Sequence, residues 1–156
     1  VTLLATHYRD REDVEFIAIC GKNEWIYRQM KKLFPHKVHM LRHTDRMAEY
    51  MRACDAVITK PGGLSSTEAA VTGTALIFIS PIPGGPETAN VRFFERHGMA
   101  IYAETVALEL TDLVQELLSQ PAEVEQMARH QQETVNAHAA ADIVSFVEST
   151  CAAKAT

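Results

Sequence analysis

Cysteine is scarce in this chain and is arranged for neither bridges nor metal. Cys20, Cys54 and Cys151 are widely spaced and form no C-x-x-C pair, which argues against a disulfide framework or a zinc ribbon. They are read as reduced thiols of a cytoplasmic protein. Positive charge is in deficit as well. Lys and Arg number 15 against 20 Asp and Glu, for a net charge of −5 and a pI near 5.8. Such a chain does not grip nucleic acid with its whole surface, so an anionic ligand has to be held by local dipoles and a few side chains. No apolar run approaches the roughly 18 residues of a membrane-spanning helix, and no signal peptide is visible. The seven histidines include no H-E-x-x-H. His36, His39 and His43 fall close together but are read as loop residues, with no metal assigned. Neither a Walker A loop nor G-x-G-x-x-G occurs.

What is present fits one globular domain with an ordinary core: 156 residues, 47% hydrophobic and 22% charged. Short apolar runs alternate with amphipathic stretches. Strands are expected at 14–20 (VEFIAIC), 37–41, 56–59, 75–79 and 99–102. Helices are expected between them. One is capped by Asn23 and runs to Phe34, with Trp25, Ile26, Met30 and Leu33 on its inner face. One is capped by Asp45 and runs to Ala53, with Met47, Ala48 and Met51 inward. One starts at Ser65 or Ser66 and stops at Gly73, and one spans 87–97. Three more follow at 106–119, 122–133 and 137–149. This alternation predicts an α/β fold with right-handed crossovers, a Rossmann-like parallel sheet flanked by helices. The opening VTLLATHYRDRED reads as the tail of a helix already under way, and a βαβ fold should place a strand before it. The chain, residues 1–156, is therefore expected to be a fragment of a longer protein, cut just after a first strand and its loop.

Two Gly-rich loops lie one βαβ unit apart, which sets them side by side at the sheet edge where open α/β folds bind ligands. In Pro61-Gly62-Gly63-Leu64-Ser65, the glycines let a ligand approach the backbone. The next helix offers free N–H groups and its positive dipole end, a combination suited to a pyrophosphate. A plain tight turn explains the same residues. Glu68 stands three residues after Ser65, the spacing of a capping box; equally, its two oxygens suit the hydroxyls of a ribose. In the second loop, Gly84, Gly85, Glu87 and Asn90 offer groups for sugar hydroxyls, while an acid in a first helical turn is also favoured by the dipole. Gly21-Lys22-Asn23 and Arg42-His43-Thr44-Asp45 end strands at the same edge. Lys22 can reach a phosphate, Asn23 also reads as a simple N-cap, and the His43 loop can bond a base through its backbone or can be a solvated loop.

The runs VEFIAICGKNE, MAEYMRACDAVITKPGGLSSTEAAVTGTALIFISPIPGGPETAN and FFERHGMA resemble the C-terminal, donor-binding domain of family 28 glycosyltransferases. The likeness covers residues 14–102 and is greatest to the diacylglycerol glycosyltransferases, both the bacterial processive glucosyltransferases and the plant-type monogalactosyldiacylglycerol synthases. The peptidoglycan N-acetylglucosaminyl transferase is a more distant sibling. T-K-P-G-G…T-E-A followed by G-x-E-x-x-N is more specific than either loop alone. The resemblance implies one half of a GT-B architecture, two Rossmann-like domains with the active site in the cleft between them. It implies a UDP-sugar as donor substrate, no metal or other cofactor, and a donor site built from Gly21, Asn23, His43, Gly62, Gly63, Leu64, Ser65, Glu68, Gly85, Glu87 and Asn90. In that site Leu64 and Ser65 give N–H groups to the diphosphate, Glu68 takes the ribose hydroxyls, the His43 loop holds uracil through its backbone, and Glu87 and Asn90 face the sugar.

Related sequences commonly read Gly-Gln-Glu where this one has Gly85-Pro86-Glu87. Proline brings no N–H, which leaves the identity of the sugar open. In the family, the N-terminal domain carries the acceptor-lipid site, the membrane-binding surface and the general base, so no catalytic residue is assigned here. The expected parent transfers a hexose to a lipid acceptor, diacylglycerol, as a peripheral protein at the cytoplasmic membrane face. Two alternatives stay open. One is another UDP-sugar enzyme on the same scaffold, such as the peptidoglycan transferase or a UDP-sugar 2-epimerase. The other is a non-catalytic nucleotide-sensing module.

Overall fold

The computed structural model describes residues 1–154. Helix α1 (Thr2–His7) leads into β1 (Phe16–Ile19), α2 (Glu24–Leu33), β2 (Val38–Leu41), α3 (Met47–Ala53) and β3 (Ala56–Thr59). Then come α4 (Gly63–Thr72), β4 (Ala75–Ile79), α5 (Pro86–Arg96) and β5 (Ile101–Ala103), followed by α6 (Val106–Ser119), α7 (Pro121–Thr134) and α8 (Ala139–Lys154). All paired strands are parallel.

Instead of one continuous sheet, the strands form two: β1 with β2, and β3-β4-β5 in that order. One edge of β1 and one edge of β3 therefore carry no ladder partner among the described residues. The core follows this division. The larger cluster centres on β4, where Ala75, Leu76, Ile77 and Phe78 have no exposed surface. A smaller one holds Ala5, Ala18, Met30, Phe34 and Val38, and Phe16 packs against both.

Several expectations shift. Strand β1 is shorter than 14–20, because Val14 and Glu15 lie in the approach to it, and β5 sits two residues later than expected at its start. Helix α2 is capped as expected: Asn23 Oδ1 accepts from the Ile26 N–H at 3.0 Å. Its inner face is narrower than expected. Met30 and then Phe34 are buried, but Trp25 is 71% exposed and Leu33 55%. A two-stranded sheet is too narrow to cover a whole helical stripe. Helix α3 begins after Arg46 rather than Asp45, with no side-chain cap; Thr44 Oγ1 accepts from the Arg46 N–H at 3.0 Å. Ala48 faces solvent, whereas Met51 is buried. Helix α4 starts at Gly63, ahead of Ser65 and Ser66, and stops as expected at Gly73, whose φ of 71° is the left-handed C-cap conformation. Helix α8 starts at Ala139 rather than at 137, and Ile143, Val144, Phe146 and Val147 on it are each more than half exposed. The three cysteines are free.

Gln131 pins α7 to the sheet. It has no exposed surface, and its Nε2 donates to Thr74 O at 3.1 Å and to Met99 O at 2.8 Å. Those carbonyls precede β4 and β5. Gln131→Ala should therefore lower stability by about 2 kcal/mol, since it leaves two buried acceptors without partners. Urea unfolding followed by circular dichroism measures this. A loss below about 0.5 kcal/mol would mean that the two bonds do not anchor the helix.

Candidate functional site

The parallel register aligns the ends of neighbouring strands. Thr59 pairs with Phe78, and Ile79 with Ala103. The loop that leaves β3 at Lys60 and the one that leaves β4 at Ser80 thus start side by side at the carboxyl edge. In a chain of alternating strands and helices, this follows from parallel pairing alone.

In the first loop, Gly62 is the N-cap of α4 with φ −75° and ψ 146°, a conformation open to any residue. A Cβ added at Gly62 or Gly63 would meet nothing within 4 Å. The fold therefore gives no reason for either glycine. The backbone N–H groups of Gly63, Leu64 and Ser65 have no acceptor among the described residues, and the first bond back into the helix is Ser66 N–H to Gly62 O at 3.1 Å. Ser66 is fully buried and its Oγ donates to the same carbonyl at 2.7 Å, while Thr67 Oγ1 donates to Gly63 O at 2.7 Å. Both hydroxyls point back along the helix and leave its N-terminal amides open. Leu64 is 83% exposed. Glu68 is exposed too, and α4 has no side-chain capping bond. The capping-box reading of Ser65 and Glu68 therefore does not hold, and the Glu68 carboxylate is not used by the helix end.

The second loop is tied internally. Glu87 Oε2 accepts from the Ile82 N–H at 2.8 Å, and Thr88 Oγ1 donates to Ile82 O at 3.2 Å. Gly85 caps α5, with Pro86 in its first turn. Ser80 takes a φ of 47°, an unusual conformation for a residue with a side chain. Asn90 reaches across to the first loop, its Nδ2 donating to the Pro61 carbonyl at 2.8 Å. One oxygen of Glu87 and the amide nitrogen of Asn90 are thus used by the loops themselves. The other carboxylate oxygen of Glu87 and the side-chain oxygen of Asn90 are left over.

The remaining candidates sit past β1 and β2. Gly21 has a φ of 56°, which the turn into α2 requires. Asn23 is the cap of α2, and His43 is exposed in the bend after β2. Next to it, Arg42 forms a two-pronged ion pair with Glu24, Nε to Oε2 at 2.9 Å and Nη2 to Oε1 at 3.0 Å. Its guanidinium carbon lies 3.7 Å from the centre of the Tyr27 ring. Arg28 Nε also donates to Glu24 at 2.9 Å. Sequence reasoning named Arg42 only as part of a loop and passed over Glu24 and Tyr27. The available signal was the spacing of 24, 27 and 28, which puts all three on one helical face. Nothing in the sequence pointed to Pro61 as the partner of Asn90.

Two hollows, of about 210 Å³ around Arg46, Glu49, Tyr50 and Ala53 and about 280 Å³ around Arg9, Val14, His36 and Lys37, include no residue of either Gly-rich loop. Gly63 and Leu64 of the first loop and Ser80, Ile82, Pro83 and Gly84 of the second are exposed. Among the described residues, no cluster of three or more His, Cys, Asp or Glu is placed to hold a metal ion, and no helix is long and apolar enough to cross a membrane.

Helices around parallel strands, with glycine loops and free helix amides at the carboxyl edge, define a Rossmann-like α/β domain. The fold is similar to MurG of Acinetobacter baumannii (TM-score 0.71, 22% identity, covering 88% of this chain and 42% of that one). It is also similar to a putative UDP-N-acetylglucosamine 2-epimerase of Listeria monocytogenes (TM-score 0.73, 17% identity, covering 95% and 39%). The glycosyltransferase family 28 C-terminal domain matches residues 2–145, and the chain belongs to that family. Among curated relatives, the processive diacylglycerol beta-glucosyltransferase of Bacillus licheniformis is 34% identical over 123 residues, which are 77% of this chain and 32% of that protein. The Bacillus subtilis enzyme of the same name is 37% identical over 93 residues, 58% of this chain and 24% of that one. The chain thus spans roughly a quarter to a third of the length of these relatives.

Two measurements check the geometry. Hydrogen bonds from Arg42 and then Arg28 hold the Glu24 carboxyl down to about 2. Because this lies below the ordinary value of 4.5, the pair stabilises the fold at neutral pH and is lost as pH falls from that value towards 2. An NMR titration of the Glu24 carboxyl should show the low midpoint, and Arg42→Ala should raise it. An ordinary midpoint in the unsubstituted chain would mean that the pair does not form in solution. Asn90→Ala should cost about 1 kcal/mol in urea unfolding through the loss of the Pro61 bond; an unchanged midpoint would show that the two loops are not tied.

Proposed function

We propose that this chain is the UDP-sugar-binding half of a GT-B glycosyltransferase. The observation that carries the reading is the pair Gly62 and Gly63. Neither is needed by backbone conformation or packing, and they stand where three helix N–H groups, those of Gly63, Leu64 and Ser65, are unused. A diphosphate lying on those amides supplies the missing reason, because a side chain there would hold it off. Glu68, exposed and free of any capping duty, takes the ribose hydroxyls. The backbone of the His43 loop, beside Gly21 and Asn23, takes the uracil. Gly85, the remaining oxygen of Glu87 and that of Asn90 serve the sugar.

In sugar transfer the bond from the anomeric carbon to the diphosphate breaks, and negative charge collects on the leaving phosphate oxygen. The amides of Leu64 and Ser65, at the positive end of α4, stabilise that charge without a metal ion. The acceptor and the general base come from an N-terminal domain across the cleft. The exposure of Gly63, Leu64, Ile82, Pro83 and Gly84 in the two loops suits that division of labour. The names of the curated relatives, processive diacylglycerol beta-glucosyltransferases, support diacylglycerol as acceptor, and a peripheral position of the parent at the cytoplasmic membrane face belongs to the same reading. The likeness to 2-epimerases, at 17% identity, concerns the fold alone.

Calorimetric titration with UDP, ADP and GDP tests the reading. UDP should bind, and the other two at least about tenfold more weakly. Glu68→Ala should weaken UDP by roughly 10- to 100-fold, the loss of hydrogen bonds to a charged group. Gly63→Ala should weaken UDP as well, without lowering the thermal midpoint, since alanine favours the helix. Equal binding of the three nucleotides, no binding, or indifference to Glu68→Ala would overturn the proposal.

A further inference from the structure

Arg42 is held in a way that a solvated loop does not require. Its guanidinium plane is fixed at one edge by both oxygens of Glu24. One face is covered by Tyr27 at 3.7 Å. Yet the side chain remains 54% exposed, so the face opposite Tyr27 is open. A planar, delocalised cation fixed in this way is a stacking surface, and nucleobases stack on guanidinium planes as they do on aromatic rings. The platform lies at the carboxyl ends of β1 and β2, in the loop of His43 and next to the turn at Gly21. It follows the strands of one sheet as the diphosphate amides of α4 follow a strand of the other, and is separate from them.

We propose that Arg42 is a binding residue for the base of the donor nucleotide, which stacks on its open face to complete a Tyr27–Arg42–base pile. Glu24 is the positioning residue that sets the plane. The inference rests on the donor-site reading and adds to it a side-chain contact for the base. Stacking is indifferent to base identity, so choice among bases stays with the backbone of the His43 loop.

The test is an NMR titration of the chain and its variants with uridine, UMP and UDP. Arg42→Ala should weaken all three ligands by the same factor, at least fivefold, because the contact is to the base they share. Arg42→Lys keeps the charge but loses the plane, and should be as weak as Arg42→Ala. Glu24→Gln should fall between those variants and the unsubstituted chain. Arg28→Ala removes the other partner of Glu24, away from the loop, and should change nothing. If Arg42→Ala weakens UDP and UMP but spares uridine, or if Arg42→Lys restores binding, Arg42 acts on phosphate by charge and the inference is overturned. It is also overturned if UDP binds and Arg42→Ala is neutral, an outcome that leaves the donor-site reading intact. A chain that binds none of the three ligands overturns both.

Discussion

Ala75, Leu76, Ile77 and Phe78 of β4 have no exposed surface, so other elements must cover this strand on both of its faces and along both of its edges. Parallel β3 and β5 close the edges, and helices that include α4 and α7 pack on it. A parallel ladder admits only crossover connections, which return the chain to the opposite end each time. Every loop that follows a strand of this sheet is therefore delivered to one edge. The candidate site is a consequence of burying β4: the two Gly-rich loops follow β3 and β4 themselves, and the Asn90–Pro61 bond then joins them.

The fold was legible where short apolar runs met strong punctuation. Strands β3 and β4 and helix α6 have the bounds expected of them, because Asp55 and Pro61 frame β3, Gly73 and Pro81 frame β4, and α6 stops ahead of Pro121. Legibility failed where an element ends without a side-chain signal. Gly62 caps α4 through its backbone alone, so the first serine looked like the start. Helix α3 has no side-chain cap, and Thr44 bonds the turn ahead of it instead of Asp45 capping it. Trp25 and Leu33 looked like core because their spacing is helical. Whether a helical stripe is covered depends on the width of the sheet beneath it, and spacing does not reveal that width. The division into two sheets was equally invisible, since the alternation of strands and helices says nothing about which strands are neighbours.

In the site, the residue types were legible and their employment was not. Glu68 and Asn90 show this in opposite senses. Glu68 looked at least as much like a cap as a ligand group, and the structure leaves it free. Asn90 looked free, and its amide holds the neighbouring loop. A three-residue spacing is compatible with both uses. The decision rests on where a distant carbonyl lies, and Pro61 O is 29 positions away in sequence.

The two apolar clusters share Phe16 and little else. Cooperativity depends on such shared burial, and units joined by few contacts open separately. The β1–α2–β2 unit, with Ala18, Met30, Phe34 and Val38 buried beside Ala5 of α1, has the smaller core of the two and is expected to open first. A nucleotide lying from the amides of α4 to the loops of β1 and β2 would span both units. Its binding energy would then act partly as a staple, converting two independently opening bodies into one and slowing amide exchange in strands that the ligand never touches.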